Sequence, residues 1–171
     1  LRRKRKWGVR TRYPGGRLQE SGGVVFDDGS CWSYGRFEAA DDPRYAYLRE
    51  ADYGSGAALA IPRDLFTALG GFDARYAPAY YEDTDLAFKV REAGMKVICQ
   101  PASTVVHFEG VTSGTDTGSG VKRYQIVNQE NFLARWAKAL AKQPAPGTDV
   151  ERIVRSAPKG RVLVIDATTP E

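Results

Sequence analysis

The sequence predicts an α/β fold on three observations. Short apolar runs bounded by glycine, proline and aspartate recur at Gly23-Val-Val-Phe26, within residues 52–61, at Met95–Cys99 and at Ser103–Phe108, as strands do. Segments with apolar residues at helical spacing lie between and after them, over about residues 63–69, 86–93 and 122–142. The chain has 171 residues, 42% of them hydrophobic, which is enough for one globular core.

Residues 1–12 carry Arg2, Arg3, Lys4, Arg5, Lys6, Arg10 and Arg12 and no acid. Setting these seven aside leaves 18 basic against 21 acidic residues, so the net charge of +4 belongs to this stretch. It reads as a basic arm or as a truncated upstream segment. Basic arms bind nucleic acid or anionic lipid, but Trp7 is the one aromatic residue here that could stack on a base. No nucleic-acid partner is expected.

In residues 13–37 the turn signals Pro14-Gly15-Gly16 and Asp27-Asp28-Gly29-Ser30 frame a strand, a turn and a return strand. Residues 41–50 are polar loop. Residues 52–61 offer a buried strand ended by Pro62, which suits the start of a helix over 63–69 with Leu65, Phe66 and Leu69 on one face. Gly70-Gly71 stops it, followed by a buried Phe72. A tyrosine- and proline-rich loop leads to Glu82-Asp83-Thr84-Asp85, and behind these Leu86, Ala87, Val90 and Ala93 form a helix ended by Gly94. Residues 110–120 are a small-residue loop of the kind that serves as a lid or binding loop. Ile126, Phe132, Leu133, Trp136 and Leu140 give an amphipathic helix. Residues 143–160 read as a proline-containing linker, and residues 161–171 begin with the first strand of a following α/β domain.

No run of about 18 apolar residues exists to span a membrane, and the basic amino terminus has no apolar run behind it. The chain opens on Leu1 with its sole methionine at Met95, as expected of a piece cut from a longer protein. Cys31 and Cys99 have neither metal-ligand nor redox-pair spacing and read as free thiols in a reducing compartment.

Five segments, in order, resemble the second half of the family 2 glycosyltransferases with the GT-A fold, in the rhamnosyltransferase-like branch. They are Gly16-Arg-Leu-Gln-Glu-Ser-Gly-Gly23, Gly54-Ser-Gly-Ala57, Gly70-Gly-Phe-Asp73, Tyr81-Glu-Asp-Thr-Asp-Leu86 and Pro101 through His107. The resemblance covers about residues 13–140. It implies an incomplete GT-A domain, the acceptor-side half with a mixed sheet and flanking helices, within a parent that transfers a sugar from a nucleotide-sugar donor to a carbohydrate acceptor with inversion. Cell-surface polysaccharide synthesis is the implied setting, in bacteria, and the implied location is cytoplasmic or peripheral at the inner face of the membrane. It further implies Mg²⁺ or Mn²⁺ in the complete domain and dependence on the amino-terminal half of that domain. The isolated chain is expected to be inactive, and its incomplete sheet would expose an edge that favours a homodimer.

The acids carry the expected chemistry. By the resemblance Asp83 is the catalytic base, taking a proton from the acceptor hydroxyl as that oxygen attacks the anomeric carbon, assisted by Glu82. Taken alone, the same acids would serve a helix start as caps and dipole partners. Asp85 reads as substrate-binding, as a second helix-start residue or as a support for Asp83. The Asp-x-Asp formed by Asp83 and Asp85 is not taken as the family's metal motif, which belongs to the amino-terminal half.

His107, the one histidine, is a candidate metal or diphosphate ligand, with a hydrogen-bonded structural role equally open. Gly54, Ser55 and Gly56 would line the substrate cleft or serve strand packing. Tyr81 would stack on a sugar or pack, and Ser113 in the glycine loop would reach phosphate oxygens. A glycoside hydrolase needs two facing carboxylates, which adjacent Glu82 and Asp83 do not offer. A non-catalytic carbohydrate-binding or interaction module stands as the rival reading.

Overall fold

The computed structural model describes residues 5–108 and 123–155. In chain order the elements are β1 (Arg5–Arg12), β2 (Leu18–Glu20), β3 (Gly23–Val25), β4 (Cys31–Ser33), β5 (Arg49–Glu50), β6 (Leu59–Ala60), α1 (Arg63–Ala68), α2 (Glu82–Glu92), β7 (Lys96–Val106), α3 (Tyr124–Leu140) and α4 (Val150–Arg155). The fold is α/β with a mixed sheet flanked by helices, as the sequence predicts, and is consistent with a GT-A-like half-domain.

At the centre of the sheet, β1 runs parallel to β7. β2 and β6 both lie antiparallel to β1, towards opposite ends of it, and β5 is antiparallel to β7. β3 and β4 form a separate hairpin joined to the rest by a bridge between Gly23 and Tyr53. The register against β1 jumps from Gln100 to Thr104, so Pro101, Ala102 and Ser103 bulge out of β7. Proline has no N–H for a ladder, and a bulge is where a paired strand accommodates it. The two extended segments expected around Pro101 are therefore one interrupted strand.

Other expectations change as well. Residues 5–12, which composition presents as a basic arm, form a strand paired along both edges. Backbone pairing is indifferent to side-chain charge, and the Arg10 guanidinium has acceptors of its own, the Ala40 carbonyl at 2.8 Å and the Thr104 hydroxyl at 3.2 Å. Within residues 52–61, the strand is confined to Leu59–Ala60, because the N–H groups of Ser55 and Gly56 go to carboxylates instead of a ladder. Phe72 is half-exposed, lying edge-on against Phe66 rather than in the core.

Helix α1 starts after Pro62 and ends at Gly70 and Gly71, whose φ values of 76° and 62° stop it as expected. The main core joins Ala87, Phe88 and Val90 of α2 to Phe132, Trp136 and Leu140 of α3, with Val25 and Val97 from the strands. Phe88 meets Phe132 and Trp136 edge-on, at 5.0 and 5.4 Å between centroids. The buried stripe of α3 is Asn128, Phe132, Trp136 and Leu140, four residues apart. Ile126 and Leu133, expected on that stripe, are exposed, because a polar residue holds the place that hydrophobicity alone would not give it.

Leu18, Tyr34 and Tyr45 form a smaller cluster covered by Val150 and Val154 of α4. That helix lies in the segment expected to be linker, and the Tyr34 hydroxyl reaches the Glu151 carboxylate at 3.1 Å. Among the described residues no helix is long and apolar enough to cross a membrane. Both cysteines are free. The glycine loop over 110–120 and the strand expected at 161–166 lie outside the described residues.

Candidate active site

A cleft of about 490 Å³ opens where the start of α2 faces β2, β4 and the Ser55–Ala57 turn. The entry to α2 is an unusual stretch of backbone. Tyr80 and Tyr81 both have positive φ, 74° and 72°, immediately before the first helical residue. Bulky residues in that region cost of order 1–3 kcal/mol each and persist only when their surroundings impose the conformation. Asn128 imposes it here: its side-chain NH₂, buried under α3, donates to the carbonyls of Tyr76, Ala79 and Tyr80 at 2.9, 2.8 and 3.1 Å. Its own oxygen accepts from Asn131 at 3.3 Å.

That entry delivers Asp83 to the cleft wall. Its Oδ2 accepts the Gly56 N–H at 2.7 Å, while Oδ1 accepts the Thr84 N–H at 2.6 Å and the Thr84 hydroxyl at 3.1 Å. Half of the carboxylate thus serves the helix start and half reaches across to the neighbouring turn. A Cβ on Gly56 would sit 3.3 Å from Oδ2, so the absence of a side chain sets this close approach. Gly54 has a different job: a Cβ there would lie 3.1 Å from the Gly8 Cα of β1. It is a backbone-packing position, whereas Ser55 and Gly56 line the cleft.

Sequence reasoning overlooked Glu20. This carboxylate is 3% exposed, accepts the Ser55 N–H at 2.9 Å and takes the Ser33 hydroxyl at 3.3 Å. Two successive backbone N–H groups, of Ser55 and Gly56, therefore orient two carboxylates that line one cleft. The available signal was that Glu20 is the single acid between Pro14 and Asp27. Asn128 was overlooked for the same reason that Ile126 was overvalued.

Glu82 also lines the cleft, and its Oε2 is buried without a hydrogen-bond partner. Burial first, then the charge of Asp83, pushes its carboxyl above the ordinary range. Cys31 lies in the same wall with its thiol pushed up chiefly by burial, and is a protonated, weakly nucleophilic group.

His107 reaches the cleft, hydrogen-bonded through Nδ1 to the Gln19 side-chain oxygen at 2.9 Å. With the Gln19 oxygen as acceptor, Nδ1 is the donor in this bond. Among the described residues no group of three His, Cys, Asp or Glu side chains is placed to hold a metal ion. One imidazole does not make a site for Mg²⁺ or Mn²⁺, and an ion bound beside it would need further ligands.

Tyr81 is part of the wall, but its ring is buried against Phe132 and its hydroxyl is given to the Gly29 carbonyl at 3.0 Å. Asp85 is elsewhere. Fully buried, it accepts the Trp136 indole N–H at 2.8 Å and pairs with Lys89 and Arg135, each at 3.1 Å. It ties α2 to α3 and does not line the cleft, which corrects its reading as a substrate ligand: two positions along a helix from Asp83, it points to another side. Ser113 lies outside the described residues.

No family model matches the chain. It is similar to the uncharacterized protein y4gI of Sinorhizobium fredii, 28% identical over 162 residues, 89% of this chain and 18% of that protein. Over 65 residues, 38% of this chain, it is 37% identical to the N-acetylglucosaminyl-diphospho-decaprenol L-rhamnosyltransferase of two Mycobacterium tuberculosis strains, covering 21% of that enzyme. The chain thus spans about a fifth of the length of these curated relatives. Part of it is glycosyltransferase-like in sequence, on a fold that is GT-A-like.

Proposed function

We propose that this chain is the acceptor-side part of an inverting glycosyltransferase that transfers a sugar from a nucleotide-sugar donor to a carbohydrate acceptor. The observation that carries this reading is the Asp83 carboxylate, pinned by Gly56 and Thr84 on the wall of a cleft. A carboxylate fixed in this way is a hydrogen-bond acceptor of set position on the cleft wall. An acceptor hydroxyl that donates to Asp83 can give up its proton as the oxygen forms its bond to the anomeric carbon, since that bond makes the hydroxyl strongly acidic. The nucleoside diphosphate departs from the opposite face, and the anomeric configuration inverts.

Glu20 and Glu82 border the same space and are suited to accept hydrogen bonds from other acceptor hydroxyls. The similarity to a rhamnosyltransferase favours a deoxyhexose donor and a saccharide acceptor. The nucleotide pocket, and the Mg²⁺ or Mn²⁺ that would neutralise the leaving diphosphate, we assign to other parts of a longer protein. His107 is the residue here that would border them.

The test is incubation of the full-length protein with a panel of nucleotide sugars, Mn²⁺ and saccharide acceptors, reading the anomeric configuration of any new linkage by NMR. A linkage inverted relative to the donor is expected, with negligible transfer by the 171-residue chain alone. A retained configuration would overturn the mechanism. Saccharide binding with no transfer from any donor would establish the rival, a binding module.

A further inference from the structure

Next to Arg36 of the cleft lining the chain holds a residue in a strained conformation. Phe37 has φ 68°, a left-handed conformation in which a bulky aromatic residue is a genuine outlier. The conformation is held from three sides. The Phe37 N–H donates to the Leu18 carbonyl at 2.8 Å, the Leu18 N–H to the Glu38 carbonyl at 2.9 Å, and Arg17 to the Phe37 carbonyl at 2.7 Å. The side chain so presented is not buried: Phe37 is 56% exposed.

Its ring lies parallel to that of Tyr13, centroids 5.4 Å apart at 8° between planes. The Arg36 guanidinium sits 4.9 Å from the centre of the Phe37 ring and 5.9 Å from that of Tyr13. Arg36 lines the cleft, and among the described residues it is the one arginine or lysine that does. Its neighbours in that lining include Glu20, Glu82 and Asp83.

A ring held out to solvent against strain offers a flat apolar face, and sugars stack the C–H face of their rings on such platforms. A guanidinium offers a rigid fork that pairs in bidentate fashion with a carboxylate or phosphate, and stacked on aromatic rings it is already ordered. We propose that Tyr13, Phe37 and Arg36 form a subsite for an acidic sugar, the ring lying on Phe37 and its anionic group engaged by Arg36. On the glycosyltransferase reading this subsite belongs to the acceptor, and it gives that acceptor a charge. In a cleft bordered by three carboxylates, an anionic acceptor would be repelled without a local cation, and Arg36 supplies one at the rim.

The experiment measures binding by calorimetry on the full-length protein, with methyl glucoside, glucuronic acid and glucose 1-phosphate as probes and inorganic phosphate as a control. At least one acidic sugar is expected to bind ten-fold or more tightly than the neutral glycoside, and which one does so tells a uronic from a phosphorylated acceptor. Arg36→Gln is expected to remove that preference and leave the neutral sugar within two-fold. Phe37→Gly, a substitution the left-handed backbone accepts without strain, is expected to weaken all three sugars together. Equal affinity for acidic and neutral sugars overturns the proposal, as does a preference that survives Arg36→Gln. Inorganic phosphate bound as tightly as glucose 1-phosphate would reduce the corner to an anion site and overturn the sugar part. Because the readout is binding, failure of the Asp83 mechanism would leave these results untouched.

Discussion

The bond from Gly56 to Asp83 makes a prediction at the scale of one methyl group. A Cβ at residue 56 would meet Oδ2 at 3.3 Å, a contact that few real Cβ atoms make, so the carboxylate must give by a few tenths of an ångström. Gly56→Ala is therefore expected to lower kcat about ten-fold, since small displacements of a reacting group are costly, while the melting temperature hardly changes at this exposed turn. A loss of stability matching the loss of activity would show that Gly56 is only a packing position. Glu82 makes a second prediction. Its folded-state carboxyl is raised above the ordinary 4.5, so the protonated form is the one that folding favours. Its contribution to stability is full below pH 4.5 and is lost as pH rises through the folded value. Glu82→Gln should accordingly raise the melting temperature at neutral pH, with the gain shrinking towards pH 4.5. A gain that is constant with pH would contradict the assignment. The acids at residues 82, 83 and 85 were legible in the sequence, but their directions were not. Which side of α2 each faces depends on Trp136 and Gly56, dozens of residues away, and local pattern carries no such information.

At the scale of elements, the cleft depends on how α3 grips the segment before α2. Asn128 holds three carbonyls of that segment, and its loss leaves buried acceptors without donors, at about 1–3 kcal/mol for such a group. Asn128→Ala should destabilise the protein by about 2 kcal/mol in denaturant unfolding and depress kcat more than KM, because Tyr80 and Tyr81 are released from their left-handed conformation. Asp85 is the second tie between the helices. Asp85→Ala takes the carboxylate from buried Lys89 and the acceptor from the Trp136 indole, while Arg135 keeps its pair with Asp73 and Lys89 its bond to the Gly71 carbonyl. Removal of one partner from a buried ionic cluster typically costs about 3–5 kcal/mol. A loss below about 1 kcal/mol, the scale of a surface pair, would contradict that picture. The helices themselves were readable: Leu86, Ala87 and Val90 are buried as their spacing predicts, and Gly94 at φ 73° ends α2. The grip was not readable, because a buried asparagine on an apolar stripe looks like an interruption of it.

At the scale of the molecule, the parallel pairing of β1 with β7 organises everything else, and it was the least legible feature. β1 is rich in arginine and lysine, and its partner lies at the other end of the described sheet sequence, so neither composition nor spacing points to it. The order of short strands and helices was legible, and with it the α/β class. Amide hydrogens of Val9 and of Val97–Cys99 should be among the slowest to exchange if β1 is a true central strand, and rapid exchange there would contradict its placement. The same frame brings β2, the turn at Ser55 and the start of α2 around one cleft, and the functional account rests on what Asp83 does in it. The most direct test is the rate of sugar transfer by the full-length protein carrying Asp83→Asn, compared with the unsubstituted protein on the same donor and acceptor. The account predicts a fall in kcat of about a hundredfold or more, with donor binding and melting temperature preserved. Transfer at the unsubstituted rate would leave Asp83 a helix-start residue and the base elsewhere.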